Sequence, residues 1–593
     1  MVMEKQEQDA NRTSGQLTQH AMLVAWGVYA QQIGLVEAIE QVKLHQKKRE
    51  HKPQTKVLEF LVAMLAGLRH LQDISRAAHP IDRDHVMAKA WGQAGWADYS
   101  GVGRTLQSLT LDEVEAVVES LNLISQPFME QEIGQALAES GRLVYDADLT
   151  CRPVSNTSKT YPNTAFGYMG DTIGLGYQAA LVSVHSPTYG RLWLANHFHP
   201  GDTVSSTQVQ RMVSAAERRT GRRPRRRTEW VASRWQQAKA NCAAAYEKYE
   251  TSDEKLKIVR DKLHDTKIDL AEWSREVKML EREYERTGKQ PTAHCNLSKA
   301  RRKLSTYQDR LPHLQKKLDV AQRRLDRCER QWGQAKAEVE HLHKHHAAML
   351  ADNQNNATPI KALFRIDSGF ATRENIAWLI EMGYDIYAKA RSSGVTHYLL
   401  SLLSPDTIWE RVGGNASLTA WADSTANGYF IYPVDLALAR YQTGDTQSHS
   451  VLIHFGDAHV VADLDGWFHQ YNARQTIEAG IKEGKNVFQM HHLKVRTLAA
   501  LLLQEHFACF AANFVRFAGL WLTQQPILPP HFDTSSVKKM VEVCAHTSAW
   551  VAQQDHTWLL TFTQQSRFAG YSMKFGRGAI QLPLFHESHF AHF

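Results

Sequence analysis

Residues 471–485 read YNARQTIEAGIKEGK, and within them Tyr471, Arg474, Glu478 and Lys485 follow one another at intervals of three, four and seven. On one continuous helix these intervals bring the four side chains to neighbouring turns of one face. A solvated charged face carries the same charges without that order, so the spacing predicts a built site on a helical stretch running from Ala473 to Gly519.

A carboxylate aimed from a helix face needs partners, and the chain upstream supplies extended segments that end in acids. RLVYDADLT (142–150) is rich in β-formers, and period-two alternation puts Asp146 and Asp148 on one face of it. IKALFRIDSGF (360–370) reads as a second strand with Asp367 at its end, followed by a helix and a third strand in GYDIYAKARS. Burying a carboxylate is costly unless it is paired or holds a cation, which makes these acids candidates for a metal site. The competing reading of Asp367-Ser368-Gly369 is ordinary turn chemistry. GYQAALVSV and GRLWLANHF are further strands, separated by Ser186-Pro187 and Tyr189-Gly190 as a hairpin requires. A β-rich stretch from about residue 397 to 462 precedes the motif helix, and a strand-like tail follows it.

Between the two acid-bearing strands lies a different composition. Residues 231–350 carry almost no Gly or Pro and many Lys, Arg, Glu and Gln. Leu256, Val259, Leu263, Thr266, Leu270, Trp273, Val277, Leu280 and Tyr284 alternate spacings of three and four, the heptad seam of a coiled coil. After a break at Thr287-Gly288-Lys289-Gln290-Pro291 the rule resumes from Leu297 through Leu304, Leu311, Leu318 and Leu325 to Cys328. Two such helices joined by a short turn run antiparallel, each arm reaching on the order of 75 Å beyond the protein body at 1.5 Å per residue. Pro312 is expected to kink the second arm. The run at His341, His343, His345 and His346 lacks ordered ligand spacing and reads as a solvated face.

Residues 16–140 read as helical, with Asp112 as a first-turn acid ahead of an apolar run. The formal net charge of +7 is concentrated locally: RRTGRRPRRR (218–227) holds seven arginines and points to a polyanion partner, with a solvated basic loop as the competing reading. Arg104 and Thr105, read as standing at a helix start, are candidate backbone-phosphate contacts; an ordinary helix start is the alternative. The six cysteines form no C-x-x-C pair or zinc spacing, which fits a reduced cytosol. The polar first fifteen residues hold no apolar secretion signal, and Glu505, His506 and Arg516 interrupt the apolar run 498–522, so a buried helix and no membrane span is expected there.

The motif at Tyr471, Arg474, Glu478 and Lys485 resembles the Tyr-x2-Arg-x3-Glu-x6-Lys signature of DDE-type transposases of bacterial insertion sequences. That resemblance implies an α/β fold: a ribonuclease-H-like catalytic core with an all-α N-terminal domain and a β-rich insertion. The inserted antiparallel coiled-coil hairpin departs from the family pattern. The parts would be a helical DNA-binding domain at 1–140, core at 141–229, the coiled coil at 230–354, the second Asp strand at 355–395, the β-rich insertion at 396–465, the glutamate helix at 466–525 and a C-terminal region at 526–593.

The family's catalytic triad falls on Asp148, Asp367 and Glu478, with Asp146 the rival for the first place. Asp148 is preferred because Asp148-Leu149-Thr150 resembles the family's D-x-S/T. The three acids would hold two Mg²⁺ ions, for which Mn²⁺ can substitute, in metal-assisted phosphoryl transfer. Tyr471, Arg474, Lys485, Arg222, Arg223, Arg225, Arg226 and Arg227 are the implied DNA contacts. The implied partner is double-stranded DNA, both the element's terminal inverted repeats and the target, bound by a homodimer in the bacterial cytoplasm. The alternatives are a catalytically silent DNA-binding or architectural protein and a nuclease of the same fold without strand transfer.

Overall fold

Parallel strands that end in acids place those acids together only if their register is matched, and the register here is fixed by a buried ion pair. The computed structural model describes residues 15–47, 50–525, 536–554 and 557–576. The polar residues 1–14 lie outside these, as do 526–535 and 577–593 of the C-terminal region. The chain divides into two compact units, Met1–Arg225 with Thr358–Phe593, and Arg226–Ala357.

The first unit opens with strand β1 (Gln16–Thr18), not a helix, and then runs through helices to the long helix Leu111–Ser140. A reciprocal cap fixes the start of that helix: Thr110 Oγ1 accepts from Glu113 N at 3.2 Å while Glu113 Oε2 accepts from Thr110 N at 2.9 Å. Gly141, at φ 68°, ends it and turns the chain into β2 (Arg142–Pro153). β3 (Ala165–Tyr168), β4 (Ile173–Ser186) and β5 (Gly190–Pro200) follow, and β4 and β5 form the expected hairpin with Ser186 opposite Gly190. After the helix Val209–Thr220 and the second unit come β6 (Lys361–Ile366), the helix Arg373–Glu381 and β7 (Asp385–Lys389).

The stretch read as β-rich from 397 begins instead with the helix Ser393–Ser401. β8 (Glu410–Arg411), β9 (Ala416–Ser424), β10 (Val434–Thr443) and β11 (Thr446–Phe455) then follow. They add to the same sheet, because β11 pairs antiparallel with β7 and covers what would otherwise be an open edge. The ten-stranded sheet runs β3-β4-β2-β6-β7-β11-β10-β9-β8, with β5 also paired to β4. β2, β6 and β7 are mutually parallel, and the pairing of Asp146 with Arg365 sets Asp148 level with Asp367.

The apolar helix Leu498–Thr523 is long and apolar enough to cross a membrane, but 78% of its most apolar window is buried inside this unit. Phe507, Phe514 and Phe517 pack against Phe60, Tyr29 and Phe128 of the N-terminal helices, the last pair stacked at 4.5 Å. The strand-like tail is β12 (Ala549–Gln554), β13 (Thr557–Phe562) and β14 (Ser572–Gly576), which close a four-stranded sheet with β1. The two ends of the described chain thus share one element, which helical periodicity in the N-terminal region could not reveal.

The second unit is two helices, Thr228–Thr287 and Asn296–Gln354, joined at Gly288 with φ 62°. They run antiparallel: Trp235 stacks on His343, Ser252 meets Cys328 and Arg301 pairs with Glu281. Every seam position named above is buried or half-buried. The second helix continues through Pro312 without interruption, since one lost hydrogen bond in fifty-nine residues is carried by the packed seam. His341 and His343 are exposed, as a solvated face requires, and the rings of His343 and His346 also lie against Trp235.

Candidate active site

The motif is not on one helix. Tyr471 lies in the last turn of Leu464–Asn472, the chain tightens at Ala473 and Arg474, and Glu478 and Lys485 sit on a second helix, Gln475–Asn486. The junction is held by tight three-residue bonds, Arg474 N to Tyr471 O at 3.1 Å and Ile477 N to Arg474 O at 2.9 Å. The break aims Arg474 back across the ends of β2 and β6.

There the guanidinium meets all three acids. Arg474 Nη2 lies 3.2 Å from Asp148 Oδ1 and 3.7 Å from Asp367 Oδ2, and Nη1 lies 3.1 Å from Glu478 Oε1. Arg474 is 7% exposed, while Glu478 remains about half exposed at the mouth. Its Nε is buried and makes no hydrogen bond. Among the described residues no three acids, histidines or cysteines close on one point, and the guanidinium touches all three of these carboxylates.

The turn reading of Asp367 holds, and the same side chain also reaches Arg474. Its Oδ1 accepts from Gly369 N at 2.9 Å, closing the turn after β6, while its other oxygen faces Arg474. Gly369 is closely packed: a Cβ there would stand 2.9 Å from Ser205 Oγ, which would have to shift. Burial is the main cause that raises the Asp148 carboxyl to about 6, opposed by Arg474 and reinforced by Asp367 and Glu478. Burial pushes Tyr471 up to about 12, so its phenol keeps its proton. Lys485, half-buried, is depressed by the same cause, with Cys151 acting against the shift.

Asp146 shares the strand face of Asp148 but is already committed. Arg365 Nε and Nη2 hold its two oxygens at 2.6 and 2.7 Å, and Thr476 Oγ1 lies 3.5 Å away. Arg365 also donates to the carbonyl of Gln470 at 3.3 Å, so the pair braces the segment that aims Arg474. Asp146, the alternative to Asp148, thus sits in a buried ion pair beside the cluster, while Asp148 faces Arg474.

No family model matches this chain, and no curated protein matches it.

The basic run is largely built in. Arg226 is 4% exposed, its Nε 2.5 Å from Asp352 Oδ2, which corrects its expected role as a DNA contact. Arg222 donates to Thr358 Oγ1 at 3.2 Å; Arg222, Arg223 and Arg227 are half-buried, and Arg225 is exposed. Arg104 and Thr105 lie inside the helix Tyr99–Gln107, capped by Asp98, and Thr105 is buried. Arg104, in the last turn of that helix, is exposed.

Sequence reasoning missed the charged supports beneath the glutamate helix. Arg152 holds Glu505 through two bonds of 2.9 Å, and Asn196 donates to the same carboxylate at 2.8 Å. Arg516 holds Glu483, tying the apolar helix to the glutamate helix. Gly480 lets that helix lie on Arg191, because a Cβ there would run into the guanidinium. The signal for these supports was a charge in an apolar run: Arg365 between Phe364 and Ile366, and Glu505 after Leu501-Leu502-Leu503, each need a buried partner.

Proposed function

We propose that this chain is a DDE-type DNA transposase, an endonuclease and strand transferase acting on double-stranded DNA at the ends of a mobile element. The observation that carries the reading is the convergence of Asp148, Asp367 and Glu478 on Arg474. A ribonuclease-H-like core is supported by the β5-β4-β2-β6-β7 portion of the sheet, antiparallel across its first three strands and parallel across its last three.

The donor set fits a divalent cation. Three carboxylates supply hard oxygen ligands, and they repel one another unless positive charge lies between them. Asp148, Asp367 and Glu478 would hold Mg²⁺, which activates water or a 3′-hydroxyl and stabilises the leaving oxygen. The chain's own groups do the rest. Arg474 supplies the positive charge beside the three acids that faces a phosphate, and Tyr471, protonated at neutral pH, donates a hydrogen bond beside it. Lys485, on the last turn of the glutamate helix, adds a cationic contact. Arg365 and Asp146 keep the junction fixed, so the cost of ordering it is met on folding.

The test is cleavage of a supercoiled plasmid carrying this gene with its native flanks, in Mg²⁺, comparing wild type with Glu478→Gln. Breaks at the element ends with wild type alone support the reading. Equal cleavage, or none from either protein, overturns it in favour of a silent DNA-binding protein.

A further inference from the structure

We propose that the basic face of the second coiled-coil arm is a binding surface for the sugar–phosphate backbone of double-stranded DNA; the identity of the ligand rests on the transposase reading. Residues 299–330 contain eleven Lys or Arg against four Asp or Glu, a local excess as large as the +7 of the whole chain. The first arm has no such excess over the facing stretch 250–281, with seven Lys or Arg against nine Asp or Glu. Charge has been sorted onto one arm.

The basic residues also form a line. Arg310, His313, Lys317, Val320, Arg324 and Arg327 follow at spacings of three and four, each one position ahead of a seam residue, and all are exposed. They border a groove between the arms whose walls carry Lys255, His313, Lys316, Lys317 and Arg324 around Val320, with no acid among the lining residues. Among the described residues, no acid forms an ion pair with Lys316, Lys317, Arg323, Arg324 or Arg327, so their charge is left to solvent. Arg323 with Arg327 is an i,i+4 pair of like sign, which weakens an isolated helix.

A polyanion relieves that repulsion. From Arg310 to Arg327 the line measures about 25 Å at 1.5 Å per residue, roughly seven base-pair steps of a duplex that carries one negative charge per ~1.7 Å. A protein partner would require an apolar or aromatic centre, and Val320 is the sole exposed apolar residue in the line. The contact is thus of the kind that positions DNA without reading sequence.

The experiment is fluorescence anisotropy of the full chain on a duplex of about thirty base pairs across a salt series. Wild type is compared with a Lys316→Gln, Lys317→Gln, Arg324→Gln triple variant, and with a control of equal charge loss on the first arm, Lys248→Gln, Lys267→Gln, Lys278→Gln. None of the six touches the seam and Gln favours helix, so matching melting curves establish that all three proteins fold. The second-arm variant is expected to lose affinity on the order of tenfold near 0.1 M salt and to flatten the log–log salt slope by about 0.9 for each phosphate it no longer neutralises. The control is expected to bind as wild type. A second-arm variant with wild-type affinity and slope, or a control weakened equally, overturns this proposal alone. Wild type that binds no duplex overturns the transposase reading and this proposal together.

Discussion

Asp148 and Asp367 face the same nitrogen of Arg474, at 3.2 and 3.7 Å, although they come from strands separated in sequence by the whole coiled coil. The parallel register of β2 and β6 brings them level, and the broken helix supplies the cation between them.

Asp146 and Asp148 are expected to respond in opposite ways. Asp148→Asn removes a carboxylate whose ionised form burial disfavours, so stability holds or rises while Mg²⁺-dependent cleavage falls by on the order of a thousandfold. Asp146→Asn leaves Arg365 buried without its counter-charge and costs about 3–5 kcal/mol of stability. Chemical denaturation and plasmid cleavage on both variants test the assignment. Loss of activity with unchanged stability in Asp146→Asn would reverse it.

The packing under the glutamate helix gives a second expectation. Gly480→Ala forces the Arg191 guanidinium aside, and overpacking of this kind costs about 1–3 kcal/mol. Shortening the obstacle should relieve it, so Arg191→Ala is expected to restore part of the melting temperature lost by Gly480→Ala. Strict additivity of the two changes in a double-mutant cycle would contradict the contact.

The strands, the hairpin and both coiled-coil seams were legible because period two and the three–four alternation report buried faces directly. The acids were legible as types at strand ends. Period two gives Asp146 and Asp148 the same face, and what distinguishes their surroundings is Arg365, a residue distant in sequence that holds Asp146. The break at Ala473 and Arg474 was hidden because neither residue is Gly or Pro and the motif spacing also fits one helix. β1 was hidden because its partner Ala549–Val551 lies at the other end of the chain.

His20 predicts an acid limit on stability. Burial lowers its pKa from 6.5 to about 4, the largest effect, with Asp84 acting against it and His546 reinforcing it. The unfolded chain therefore binds the proton more readily: stability is full above about 6.5 and is lost as pH falls toward about 4, by up to about 3 kcal/mol from this residue. Denaturation curves at pH 7 and 4.5 measure the slope, and His20→Asn is expected to be less acid-sensitive than wild type even if weaker at pH 7. An unchanged slope would remove His20 from the account.

Arg474 predicts how the fold responds to metal. With Arg474→Ala, the three carboxylates lose the cation that touches them all, and their mutual repulsion is expected to lower the melting temperature in a chelator. Added Mg²⁺ then supplies the missing charge, so its stabilising shift should be larger in the variant than in wild type, because ligand binding stabilises the folded state by mass action. Arg474→Lys keeps one charge but loses the fork that reaches several acids, and should fall between the two. Thermal melts across a Mg²⁺ series read this without any turnover. An equal shift in all three proteins would mean that the cation binds elsewhere, and that Arg474 does not occupy the space between Asp148, Asp367 and Glu478 in its place.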